Sequence, residues 1–238
     1  MSPIRLLSYV VILVYSSNPY KVVLANRQHI WYSWAMGKND LHSDINFLFE
    51  MGNIRLIDRM WRRYHFENMA NVAEHHFRVF WIAMIIAAHE PGKIDTGKIA
   101  KLCLLHDITE SRVGEVDYIS RQYVDRKEES AINDMLQGVS LKDEYLALWH
   151  EYELRESIES KIVKDADTID VDMELAEQSA SGHTLPKKWE QKRKHVSITL
   201  YTKTALAMWE QLKSVDPHDW HDLSPNNRIN GGDWKIKP

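Results

Sequence analysis

An all-α fold is what this sequence predicts, on three observations. Apolar residues recur every three or four positions from about Asp44 to Leu212, the spacing that lines one face of a helix. No run within those residues alternates convincingly at period two, as a half-buried strand would. Pro, Gly and hydroxyl residues punctuate the periodic runs where helices would start and stop. In order, Ile45, Leu48, Met51, Ile54 and Ile57 recur at intervals of three and predict a first helix that Gly52 interrupts or caps. Residues 71–89 carry Val72, His75, Val79, Ile82, Ala83 and Ile86 on one stripe, and Pro91-Gly92 stops it. Thr96 is the expected N-cap of the next helix, through Ile99, Leu102, Cys103 and His106, after which Gly114 bends the chain.

Residues 128–136 and 143–152 predict two further helices, separated by Gly138-Val139-Ser140. A long helical pattern from Arg155 to about Ala180 carries Ile158, Ile162, Val163, Ala166 and Ile169, and Ser181-Gly182 ends it. Leu185-Pro186 falls in the connection to a last amphipathic helix over residues 187–212. Residues 216–238 are rich in Pro, Asn, Gly and Asp without periodicity and predict an irregular tail. The expected plan is an N-terminal extension (1–43), one helical domain (44–213) and the tail (214–238).

Composition narrows the function classes. Lys plus Arg number 30 and Asp plus Glu 34, a formal charge of −4. The whole surface therefore does not attract nucleic acid or anionic membrane, and a phosphorylated ligand needs a local cluster of basic side chains. A single cysteine, Cys103, excludes an intrachain disulfide and a multi-cysteine zinc site, and suits a reducing cytoplasmic compartment. Residues 6–15 (LLSYVVILVY) are too short to span a bilayer as a helix. Their length would suit a signal-peptide core, but Tyr15-Ser16-Ser17-Asn18-Pro19 is a poor cleavage site. A β-rich or disordered extension is expected there, with secretion as the alternative.

The sequence holds 12 histidines, and a single His on an apolar face is more often a satisfied core residue than a ligand. His75 and His106 stand out because each lies on the inward stripe of its helix. His106 is followed directly by Asp107 at the end of Leu102-Cys103-Leu104-Leu105. Burying an imidazole and a carboxylate there is costly unless something pairs them. Asp165, Asp167 and Asp170 interrupt another apolar stripe, and Asp167 falls one turn beyond Val163. Two histidines and carboxylates from three helices make a nitrogen–oxygen site for a divalent ion. Spacing alone does not choose between Asp165 and Asp167. Glu110, four residues after His106, shares its helical face.

The order of His75, the pair His106-Asp107 and a distant Asp167 resembles the HD superfamily of metal-dependent phosphohydrolases. Asn71-Val72-Ala73-Glu74-His75, Leu105-His106-Asp107-Ile108-Thr109-Glu110 with Val113-Gly114-Glu115, Trp149-His150-Glu151-Tyr152, and Val163-Lys164-Asp165-Ala166-Asp167 resemble the motifs of its 5'-deoxynucleotidase branch. The match covers residues 47–212. It implies a single HD-domain bundle holding one divalent ion (Mn, Co, Zn, Mg or Fe) on His75, His106, Asp107 and Asp167, and so selects Asp167 over Asp165. It implies that Glu110 orients or deprotonates the attacking water. It gives Glu115, where the family usually has aspartate, a role as proton donor or sugar contact. Arg59 is implied as a phosphate contact, since its planar fork donates two parallel hydrogen bonds. Trp61 is either a base or sugar contact or a core or interface residue. Arg62, Arg63 and Lys164 are competing phosphate neighbours, or solvated charges.

The activity so implied is a 5'-nucleotidase acting on deoxynucleoside monophosphates, in a protein that forms a homodimer. A triphosphate or cyclic-nucleotide phosphohydrolase, or an inactive nucleotide-binding protein, are the alternatives.

Overall fold

The computed structural model describes residues 10–13, 22–25 and 41–223. Two compact units divide the chain, at residues 1–46 and 47–238. In the first, strands β1 (Val10–Leu13) and β2 (Val22–Ala25) pair antiparallel, with Val10 opposite Ala25 and Leu13 opposite Val22. The β-rich form expected of the extension is thus present at these eight positions. The remainder of residues 6–15, and the tail beyond residue 223, lie outside the described residues.

The helices are α1 (His42–Asn53), α2 (Val72–His89), α3 (Thr96–Leu105), α4 (Glu110–Val113), α5 (Glu128–Met135), α6 (Lys142–Leu154), α7 (Ile158–Ala180), α8 (Leu185–Arg193), α9 (Lys203–Leu212) and α10 (Asp219–Asp222). Helices α2, α3 and α7 form the centre. They meet through Val79, Ile82 and Ile86 of α2, Ile99 and Leu102 of α3, and Ile162, Val163 and Ile169 of α7. Each such fully buried aliphatic side chain contributes about 1.5–3 kcal/mol. A second cluster joins Val72, Leu105, Ile132, Leu136 and Trp149. The third, Phe66, Met69, Leu175 and Trp189, has Trp61 and Tyr64 against it. No described helix is long and apolar enough to cross a membrane.

Several expected boundaries move. The first helix runs through Gly52 but stops at Asn53, and a 3-10 turn follows at Ile54–Leu56. Leu48 lies 66% exposed, so the stripe of threes turns inward only at its later members. Asp95, not Thr96, caps α3: its carboxylate accepts the Lys98 N–H at 2.9 Å. The long helix begins at Ile158, where Ser157 caps it by accepting from the Ser160 N–H. Arg155, expected at its start, instead closes α6 in the left-handed region (φ 53°).

The single helix expected over residues 187–212 is two. Leu185 and Pro186 open α8, with Pro in the first turn where its missing N–H costs nothing. A 3-10 turn spans Lys194–Ile198, and α9 starts anew behind Thr202, whose hydroxyl accepts the Ala205 N–H at 3.1 Å. The break has a local cause in the β-branched Val196, Ile198, Thr199 and Thr202. It has a tertiary cause in Asp165, whose two oxygens accept the N–H groups of Tyr201 and Thr202 at 2.8 Å each.

Candidate metal centre

Four chain segments converge on one cleft. Asn71 caps α2 in a reciprocal capping box with Glu74, which places His75 one turn in. A lone β-bridge pairs Asp58 with Asn71, supported by Val72 N–H to the Ile57 carbonyl at 2.9 Å. It brings Arg59 alongside the start of α2. His106 is the C-cap of α3, so Asp107 emerges where the apolar run ends. Asp167 projects from the third turn of α7.

Hydrogen bonding fixes the ring tautomers. His106 Nδ1 lies 2.9 Å from the Cys103 carbonyl, which can only accept, so Nδ1 carries the proton. His75 Nδ1 lies 2.6 Å from Asp170 Oδ2, and Arg78 grips that carboxylate while also reaching Glu174 at 2.7 Å and Glu177 at 2.8 Å. The two Nε2 atoms are thereby turned towards each other, 3.2 Å apart. His75 Nε2 is 3.3 Å from Asp167 Oδ1 and 3.5 Å from Asp107 Oδ2, and His106 Nε2 is 3.5 Å from Asp107 Oδ2. All four donor atoms lie within 4.8 Å of one another. Ligands bonded at about 2.1 Å to one ion sit about 3.0 Å apart at right angles and about 4.2 Å apart when opposed. The observed spacings fit that range, and the N₂O₂ donor set suits a borderline divalent cation.

The charges point the same way. Burial drives His106 down and keeps its ring neutral. Burial and Arg59 oppose a proton on His75, yet Asp107, Asp167 and Asp170 hold its pKa well above the usual histidine value. Asp107 is ionised despite burial, because His106 and His75 hold it well below the carboxylate range. Asp167 is likewise held low against burial by Lys164, whose Nζ is 2.6 Å away, and by both histidines. Two half-buried carboxylates thus face two buried imidazoles, an arrangement that suits a cation.

Around these four the cleft has two lobes, of about 240 and 230 Å³, sharing Arg59, Glu115, Arg121, Lys164 and Asp167. Arg59 is 7% exposed, 3.2 Å from Glu115 and 3.7 Å from Asp107. Glu110 follows a tight turn rather than continuing α3. Tight turn bonds, from the Ile108 N–H to the Leu105 carbonyl at 3.3 Å and from the Glu110 N–H to the Asp107 carbonyl at 3.0 Å, carry the chain there, and the side chain is buried in the inner lobe at 3% exposure. Burial first, then Asp107 and Glu115, push its carboxyl up to about 10. Trp61 is half-buried and lines the outer lobe, its ring 5.3 Å from Trp189 and 6.4 Å from Tyr64. It is a core residue and a cleft wall together. Arg62 turns to Asp58 and Arg63 to Asp117 and Ser120, so both are engaged away from the metal ligands.

Several site residues had no clear sequence signal. Asp170 and Arg78 support His75, and only the i, i+3 spacing of Asp167 and Asp170 on α7 hints at it. Tyr152 meets the His106 ring edge-on at 5.9 Å. Tyr118, Arg121, Arg126, Arg155 and Arg193 reach the two lobes from separate elements, which no local pattern relates. His76, adjacent to a ligand, is buried against His106 with ring centroids 4.5 Å apart, and its Nε2 has no partner among the described residues.

Known proteins share this architecture. The 5'-deoxynucleotidase HDDC2 of Homo sapiens is 28% identical over 145 residues, covering 58% of this chain and 70% of its own. The HDDC2 of Dictyostelium discoideum is 29% identical over 155 residues, 60% of this chain and 82% of its own. Among solved structures, a conserved hypothetical protein from Pyrococcus furiosus superposes with a TM-score of 0.61 at 24% identity, over 72% of this chain and 99% of that one. A protein described as a predicted metal-dependent phosphohydrolase, from Magnetospirillum magnetotacticum, does so at 0.60 and 21%, over 73% and 91%. These two likenesses establish the fold. The family model for the HD domain matches residues 51–209, two thirds of the sequence and all four clustered donors. The chain belongs to the HD domain family.

Proposed function

We propose that this protein is a metal-dependent phosphohydrolase that removes phosphate from deoxynucleoside 5'-monophosphates. The observation that carries the reading is the pair of inward-facing Nε2 atoms, 3.2 Å apart, closed by two ionised carboxylates. His75, His106, Asp107 and Asp167 would hold the ion. A divalent cation there polarises a phosphoryl oxygen and lowers the pKa of bound water towards about 7. The HDDC2 relatives carry the name 5'-deoxynucleotidase, which favours a monophosphate over a triphosphate or cyclic nucleotide.

The chain's own residues supply the rest. Asp170 fixes the His75 tautomer, and the Cys103 carbonyl does so for His106. Arg59, always charged and held by Glu115, offers its guanidinium to the phosphate. Glu110 holds its proton at neutral pH, so it suits a general acid that protonates the leaving 5' oxygen. Glu115, bonded to Arg59, positions that guanidinium rather than donating a proton. The Trp61 face offers the sugar or base a stacking wall. The homodimer is part of this reading, tested by sedimentation velocity.

The decisive experiment strips the metal and restores Mn, Co, Zn, Mg and Fe singly, against mono-, tri- and cyclic nucleotides. Phosphate release from deoxynucleoside monophosphates, dependent on the ion, is expected. Release only from triphosphates would sink the monophosphatase reading, and release from none would favour a binding protein.

A further inference from the structure

Arg155 has no part in holding the ion or placing Glu110, yet three features single it out. The first is its backbone. Arg155 closes α6 at φ 53°, ψ 38°, a left-handed conformation that costs every residue except glycine and that helix ends normally give to glycine. The second is its seat. The guanidinium carbon lies 3.9 Å from the centroid of Tyr152, the same ring that meets metal-ligand candidate His106. The third is its hydrogen bonding: Nη1 is buried and has no partner among the described residues.

Its neighbours differ in this respect. Arg59 is engaged by Glu115, Lys164 by Asp167 at 2.6 Å and Arg126 by Glu128 at 2.8 Å. Arg155 lines the same inner lobe as Asp107 and Asp167, and no described carboxylate forms an ion pair with it. A buried guanidinium N–H without an acceptor is costly, and stacking on tyrosine holds the fork in place without using its donors.

We propose that Arg155 is a second phosphate-binding guanidinium, which together with Arg59 receives the phosphate monoester dianion. The strained backbone at residue 155 is then the consequence of placing an arginine at a helix end that favours glycine. The proposal rests on the phosphohydrolase reading of the site.

The test uses Arg155→Gly, Arg155→Met and Arg155→Lys in the full chain loaded with manganese. Binding of inorganic phosphate is followed by thermal shift, together with metal content and steady-state kinetics on a deoxynucleoside monophosphate. Glycine relieves the backbone, so Arg155→Gly should melt no lower than wild type, which separates binding from folding. It should nevertheless bind phosphate about tenfold to a hundredfold more weakly, with KM raised by a similar factor, kcat changed less and metal content intact. Arg155→Lys should recover part of the loss. Phosphate affinity within twofold of wild type in the Gly and Met variants overturns the proposal. So does a raised KM with unchanged phosphate binding, which would assign Arg155 to the sugar or base. If the wild type hydrolyses no monophosphate, the functional reading fails, while the phosphate titration still decides Arg155. A wild type that binds no phosphate overturns the proposal for Arg155, whatever its activity.

Discussion

The two ends of the cleft are each organised by a buried aspartate, one set behind the metal-ligand candidates and one in the outer wall itself, and they are built from different materials. At the inner end Asp170 ties His75 to Arg78, and every metal-ligand candidate stands on or at the end of a regular helix. At the outer end Asp117 accepts from Arg63, the Tyr64 hydroxyl, the Ser120 hydroxyl and the backbone of Ile119 and Ser120. It thereby ties together 3-10 turns and loops that present Trp61 and Tyr118. Chemistry that needs fixed distances sits on the rigid end. Recognition of a substrate's variable portion sits on the part most easily reshaped.

The contrast can be broken from the inner end outward. Asp167→Ala should abolish bound metal and reduce activity by at least about a thousandfold, with some loss of stability because metal binding is linked to folding. Elemental analysis checks it, and full occupancy would refute the ligand set. Glu110→Gln keeps the shape and should retain metal while slowing kcat by about 10²–10⁴-fold; unchanged turnover would reject the acid role. Asp170→Asn removes the charge that His75 and Arg78 share, puts a donor in place of one of its two acceptor oxygens, and should weaken metal affinity about 10- to 100-fold. Excess metal should restore much of the activity, and chelator competition measures the shift.

Effects at the outer end are smaller. Trp61→Ala should raise KM by roughly tenfold, the scale of one lost stacking contact, and leave kcat within a few fold. A collapse of kcat instead would show that the two ends are not separable. Asp117 is expected to show itself in acid. Burial works against its charge, but the Ser120, Ile119 and Tyr64 donors hold its pKa below the carboxylate range. A lowered folded pKa contributes stability above the unfolded value near 3.9, lost as pH falls through the folded value. Asp117→Asn should therefore unfold more easily at neutral pH and show a shallower decline below about pH 4, readable from melting curves across pH.

The same division decides what the sequence disclosed. Ligands on helices obey a period of 3.6, so periodicity alone puts His75, among Val72, Val79 and Ile82, on a buried face. His106 and Asp107 are marked by the apolar run they end. Spacing does not separate Asp165 from Asp167, because what distinguishes them is Tyr201 and Thr202, thirty-six and thirty-seven residues after Asp165. The outer wall is hidden for the same reason. Tyr118 and Trp189 come within 6.2 Å only through folding. Arg155 has the sequence look of a helix start, because side-chain pattern does not report a left-handed backbone.

The placement of Asp165 bears on how this gene can change. Two positions along a helix turn the side chain by about 200°, so one residue of α7 fastens α9 while its near neighbour faces the cleft. A one-residue insertion or deletion between Val163 and Asp167 would rotate the downstream half by about 100° and misalign both duties at once. Homologous chains should therefore vary in length at the connections around α7 and keep its interior free of gaps, even where most of its letters differ.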